Sequence, residues 1–124
     1  MNQEEMKKRT KEFAKRIIRL CRSLPKTREG RLIGDQVFRA GTSVGANYRA
    51  ACRARSKPEF IAKLGIVLEE ADESLYWLEI IAESKILKKT ERLNPLIQEA
   101  TELTAILVSS IKTAKALPES SQMR

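Results

Sequence analysis

The sequence predicts an all-α fold: an antiparallel up-down-up-down four-helix bundle, one domain over residues 1–124. Three observations carry this. Apolar residues recur at three- and four-residue steps through four separate segments. The connections between those segments are short and are marked by proline, glycine or asparagine. With 32% charged and 42% hydrophobic residues, the composition suits amphipathic helices and not a disordered chain. A chain of 124 residues buries roughly two-thirds of its unfolded surface, enough for one core.

The first helix is expected over residues 4–24. Met6, Phe13, Ile17, Leu20 and Leu24 form its apolar stripe, while Lys8, Lys11, Lys15, Arg19 and Arg22 recur on a different face over about 21 Å. Glu5 with Arg9, and Glu12 with Arg16, are favourably spaced i, i+4 pairs. Pro25 ends the helix by forcing its predecessor out of helical angles. Residues 26–30 make a short connection, so the second helix, residues 31–55, returns antiparallel. Ser56-Lys57-Pro58-Glu59 reads as a capping box opening the third helix, residues 57–84. Its seam reads Phe60, Leu64, Val67, Ala71, Leu75, Leu78 and Ala82, with Ile61, Leu68, Trp77 and Ile81 adding apolar surface beside it. The fourth helix falls within residues 91–116. Thr90 or Asn94 caps it, and Asn94-Pro95 favours the later start with Pro95 at the first helical position. Leu96, Ala100, Leu103, Leu107, Ile111 and Ala114 face inward, with Ile97, Ile106 and Val108 outside that seam. Pro118 stops this helix, and residues 119–124 read as a frayed tail. Surplus apolar positions on the third and fourth helices mark a subunit interface, so the chain is expected to self-associate.

The second helix carries the most distinctive stretch, Arg39-Ala-Gly-Thr-Ser-Val-Gly-Ala-Asn-Tyr48. Gly41 and Gly45 stand four apart, on one face. Each costs roughly 1 kcal/mol relative to alanine in a helix interior, and close packing of a neighbouring helix is the return. A phosphate-cradling loop is excluded, because no strand precedes the glycines and neither nucleotide-binding fingerprint is present. If the second and third helices turn near Lys57, Glu73 lies level with Gly41. Glu70 and Glu73 can then form a structural polar contact with Arg39, Thr42 and Asn47.

The same stretch resembles the signature of the 23S rRNA intervening-sequence proteins. Glu59-Phe60-Ile61, the run from Glu70 to Leu78, and the stretch from Glu102 to Lys115 are similar to that family's later helices. The resemblance spans about residues 13–115. It implies a four-helix bundle and a ring-shaped homopentamer, and it agrees with a structural contact between the Arg39 and Glu73 regions. The family's architecture is in turn similar to that of accessory proteins of reverse transcriptases in diversity-generating retroelements, which suggests a nucleic-acid or ribonucleoprotein scaffold. One departure stands out: where the family commonly has Asn-Tyr-x-Glu-Ala, this chain has Asn47-Tyr48-Arg49-Ala50-Ala51. No role for a carboxylate there carries over.

Charge is uneven. The net charge is +8, yet residues 1–57 hold 16 Lys/Arg against 5 Asp/Glu, and residues 58–124 hold 8 against 11. The halves can pair internally, and the surplus positive charge can face a polyanion. Lys8, Lys11, Lys15, Arg19 and Arg22, with Arg49 and Arg53 of the second helix, are the candidate nucleic-acid-binding residues. No helix-turn-helix or zinc finger is present to read base sequence. Tyr48, Tyr76 and Trp77 could stack on bases, but packing in the core or an interface suits them better, since Tyr76 and Trp77 sit among acids.

Histidine is absent, which removes Ser-His-Asp and Cys-His catalysis and the histidine-bearing zinc and di-iron motifs. Glu69, Glu70, Asp72 and Glu73 cluster on the third helix, but a solvated or ion-paired face accounts for them without a metal. Cys21 and Cys52 fall about 27 Å apart in the expected hairpin, too far for a disulfide. No apolar run approaches membrane-spanning length, and residues 1–10 are too charged for a secretory leader, so a cytoplasmic protein is expected. The reading is a non-enzymatic homo-oligomer, without cofactor or metal, binding RNA or DNA through its basic surface. The alternative is an interaction module whose basic face meets an acidic protein or ribonucleoprotein partner. A metal-dependent enzyme using the third-helix acids comes last.

Overall fold

The computed structural model describes residues 1–118, which form four helices: α1 (Gln3–Ser23), α2 (Arg28–Ala51), α3 (Lys57–Ser84) and α4 (Leu93–Ala116). Each packs on the next, and α4 packs back on α1, closing the four around one core. Contacts at different heights give the directions. Cys21 Sγ lies 3.8 Å from the Gly34 carbonyl near the α1–α2 turn, while Thr10 faces Gly45 further along. Lys57, at the start of α3, donates to the Leu117 carbonyl just past the end of α4, at 2.6 Å. Leu20 and Arg92 share one end of the bundle, Gln3 and Ser110 the other. The chain therefore runs up, down, up, down. The tail expected over residues 119–124 lies outside the described residues.

Local chemistry sets the helix ends. Asn2 caps α1 through a full capping box: its side chain accepts from the Glu5 amide at 2.8 Å, and Glu5 accepts from the Asn2 amide at 3.0 Å. Glu5 is thereby occupied and does not pair with Arg9 as its spacing suggested. Glu12 likewise reaches Arg19, at 3.0 Å, and not Arg16. α2 begins three residues before the expected position because the Thr27 side chain accepts from the Gly30 amide at 3.1 Å. It ends at Ala51, short of residue 55. The Arg53 and Ala54 amides bond carbonyls three residues back, and Ser56 must be extended to cap α3. Ser56 accepts from the Glu59 amide at 3.2 Å. α4 is capped by neither Thr90 nor Asn94 side chains. The Thr90 carbonyl takes the Leu93 and Asn94 amides, and Pro95 falls at the third helical position, where a missing N–H breaks no helical bond.

The core is built from Phe13, Ile17 and Leu20 of α1, Val37 and Val44 of α2, Leu64, Leu78 and Ile81 of α3, and Leu96, Leu103 and Leu107 of α4, all fully buried. On α3 the buried seam is Leu64, Val67, Ala71, Ser74, Leu78 and Ile81, whereas Leu75 and Ala82 are half-buried. The seam runs through Ser74, a polar residue that an apolar pattern steps around. Ser74 tolerates the interior because its hydroxyl donates to the Glu70 carbonyl at 2.7 Å. Thr10 is buried on the same terms, donating to the Met6 carbonyl at 2.9 Å. Lys85 closes α3 in the left-handed conformation, φ 57°. Among the described residues no helix is long and apolar enough to cross a membrane.

Candidate functional site

The outward face of α1 follows from the position of its core stripe. Met6, Thr10, Phe13, Ile17 and Leu20 point inward, so side chains half a turn away point to solvent. Lys8, Lys11, Lys15, Arg19 and Arg22 occupy that opposite face and all are exposed. Arg49 in the last turn of α2 and Arg53, which falls in the turn just past its end, are exposed as well. Arg49 lies one turn beyond Gly45, on the flank of α2 that meets α1 at Thr10. The antiparallel register brings it near the height of Lys8. Of these seven cations only Arg19 has an ion-pair partner among the described residues.

Two cross-helix clamps join the basic first half to the acidic second half. Arg9 grips α4: its Nε and Nη2 donate to the two Glu99 oxygens at 2.7 and 2.8 Å, and Nη2 also donates to Glu102 at 2.7 Å. The Glu99 hydrogen bonds hold the Arg9 guanidinium far above its ordinary value. Gln98 and Arg9 together hold the Glu102 carboxyl below the usual range. Arg39 makes the second clamp, on α3, with Glu73 at 2.6 Å and Glu70 at 3.8 Å. Trp77 Nε1 donates to the same Glu73 oxygen at 3.3 Å.

The polar contact expected of five residues thus has three members. Thr42 donates within its own helix, to the Phe38 and Arg39 carbonyls, and Asn47 makes no side-chain hydrogen bond among the described residues. Gly41 and Gly45 face α1, not the α3 carboxylates. A Cβ on Gly41 would lie 2.7 Å from Ile17 Cγ1, and one on Gly45 would lie 3.2 Å from Thr10 Oγ1 and 3.3 Å from its backbone. The glycines serve the α1–α2 crossing, while Arg39 reaches α3 from the other flank of α2. The Arg9 clamp does not emerge from the sequence pattern. Its one signal there is the i, i+3 pair Glu99 and Glu102, which the α1–α4 register places within reach of Arg9.

No three His, Cys, Asp or Glu side chains converge to hold a metal among the described residues. Cys21 and Cys52 are free, half-buried thiols. Burial, with Asp35 nearby, pushes Cys21 up to about 11, and burial raises Cys52 as well. Tyr48 is buried, and Tyr76 packs edge-on to Trp77 with ring centroids 5.0 Å apart, whereas the exposed Phe38 of α2 lines a cavity beside Arg22 of the basic stripe.

The family model described as 23S rRNA-intervening sequence protein matches residues 2–109. The chain belongs to that family. A crystal structure of a protein of unknown function from the S23 ribosomal protein family, from Bacteroides thetaiotaomicron, is similar to it. That relative shares 37% identity with a TM-score of 0.81, over 90% of this chain and 99% of the other. No curated protein matches. Both clamps lie inside the matched residues, as does the whole basic stripe.

Proposed function

We propose that this 23S rRNA-intervening sequence family protein is a non-enzymatic, cytoplasmic homo-oligomer, a pentamer, that binds RNA or DNA through the basic surface of α1 and the end of α2. The observation that carries the reading is the row of exposed, mostly unpaired cations along the outer face of α1. Exposed cations at helical spacing meet phosphates through charge, with no reader of base sequence, so binding is expected to be strong at low salt and indifferent to sequence. Self-association is supported by large apolar side chains left in solvent: Ile66 and Tyr76 on α3, Val108 on α4, and also Leu32 and Phe38 on α2. Five copies would carry a charge of about +40, which raises the attraction for a polyanion.

The test is a fluorescence-anisotropy titration with unrelated RNA and DNA sequences at several salt concentrations, alongside light scattering. Lys11→Gln, Lys15→Gln and Arg19→Gln together should weaken binding to all sequences about equally. The salt slope should flatten by about 0.7–0.9 for each phosphate that the variant no longer neutralises. A parent protein that binds neither nucleic acid at low salt would overturn the reading in favour of an acidic protein partner. A monomer mass would remove the oligomer, and a dimer or tetramer would remove the pentamer alone.

A further inference from the structure

One end of the bundle carries positive charge that neither clamp uses. Where the last turns of α1 meet the α3–α4 connection, a cleft of about 730 Å³ opens over an apolar floor of Leu20, Pro25, Ile86 and Leu87. A smaller recess of about 250 Å³ continues from it along α1, the two sharing Glu91 and Arg92. Around them stand Arg16, Arg19, Lys88, Lys89 and Arg92, against the single carboxylate of Glu91. Arg19 is tied to Glu12. The other four cations make no ion pair among the described residues. Gathering cations at one concave site focuses the field there more than along a convex helix face.

We infer that this cleft holds an unpaired nucleotide of a single-stranded nucleic acid, its base on the apolar floor and its neighbouring phosphates on the cationic rim. The inference rests on the nucleic-acid reading above and adds the place and the strand form. Three features favour a single strand. The volume suits a nucleotide-sized group. The floor is apolar, which a free phosphate does not need and an unstacked base does. Bases of a duplex are stacked within the helix and cannot enter a recess, whereas single strands splay theirs out. Arg19 belongs both to the recess and to the outer stripe of α1, so a strand lying on the stripe leads into the cleft.

The experiment compares a short single-stranded RNA with a duplex of the same sequence, titrated by anisotropy against the parent and the variant Lys88→Gln/Lys89→Gln/Arg92→Gln. The single strand should bind the variant about tenfold more weakly, because three cations no longer meet its phosphates, while duplex affinity stays within about twofold. Photocrosslinking of the parent to a 5-bromouridine-substituted single strand is the second measurement, and it needs no variant to fold. Its crosslinks should fall in the segment containing residues 86–92. Equal losses on both strand forms, unchanged single-strand affinity, or crosslinks confined to the rest of α1 would overturn the inference and leave the basic-surface reading standing. A parent that binds neither strand form removes both.

Discussion

Gly41 tests the packing argument most directly. A methyl group there would lie 2.7 Å from Ile17 Cγ1, 3.0 Å from Cγ2 and 3.1 Å from Cδ1, against an ordinary carbon–carbon separation of about 3.5–4.0 Å. Ile17 is fully buried, and its γ carbons are fixed by a stiff χ1 in a helix, so it cannot swing aside. The α1–α2 crossing must open by several tenths of an ångström. Overpacking of this kind costs about 1–3 kcal/mol, opposed by a helix-propensity gain of about 1 kcal/mol. Gly41→Ala should therefore destabilise by up to about 2 kcal/mol, and Gly41→Leu by more. Gly65 supplies the comparison, since a Cβ there meets nothing within 4 Å. Gly65→Ala should stabilise by up to about 1 kcal/mol. Urea denaturation followed by circular dichroism, at one fixed protein concentration, measures both. In an Ile17→Ala background the clash is gone, and Gly41→Ala should turn stabilising, a coupling of about 1–3 kcal/mol. If Gly41→Ala stabilised the parent as Gly65→Ala does, the close-approach account would be wrong.

Arg9→Ala strands Glu99, whose side chain is only 15% exposed, without its bidentate partner, and should cost about 1–3 kcal/mol in urea denaturation, with Arg9→Lys recovering only part of it. The lowered Glu102 carboxyl contributes stability that is present above its ordinary value of 4.5 and lost as pH falls through the lower folded value. Acid melts of the parent should therefore steepen below about pH 4.5 more than those of Arg9→Ala. Lys85→Gly relieves a left-handed side-chain residue at the end of α3 and should raise stability by about 0.5–1 kcal/mol, while Lys85→Ala should not. Cys21, held near 11, should react with iodoacetamide at pH 8 at least about tenfold more slowly than a free thiol. Mass spectrometry of quenched samples reads the rate.

The architecture was legible because its signals are local and repeated. Four amphipathic periods separated by Pro25, Pro58 and Asn94-Pro95 leave little choice of topology. Register was legible too: a turn near Lys57 places Glu73 level with Gly41, and Glu73 pairs with Arg39, two residues away, at 2.6 Å. What escaped depends on polar groups satisfied inside the fold. Ser74 is polar, so an apolar pattern misses it, and the hydrogen bond that admits it to the core belongs to the folded helix. The caps of α1 and α2 rest on Asn2 and Thr27, next to residues that also read as loop. The α1–α4 clamp joins residues 90 apart in sequence, a distance at which a spacing rule such as i, i+4 has no content. The basic stripe was legible as spacing, whereas the cleft beside it depends on a connection that only the folded chain brings to α1.

The two clamps also explain why the charge asymmetry of the sequence survives folding. A basic first half and an acidic second half could neutralise each other, and among the described residues the bundle makes that pairing only twice. Each time, one arginine takes two carboxylates: Arg9 holds Glu99 and Glu102, and Arg39 holds Glu70 with Glu73. Four acids of the second half are engaged by two cations of the first, so the remaining cations of α1 and α2 have fewer partners than sequence totals suggest. The clamped groups lie on the flanks where helices meet, and the outer face of α1 lies away from both. Folding thus uses these four carboxylates at its seams and leaves the outer face of α1 cationic. A polyanion would meet cations there that, Arg19 apart, need not first be released from an internal partner.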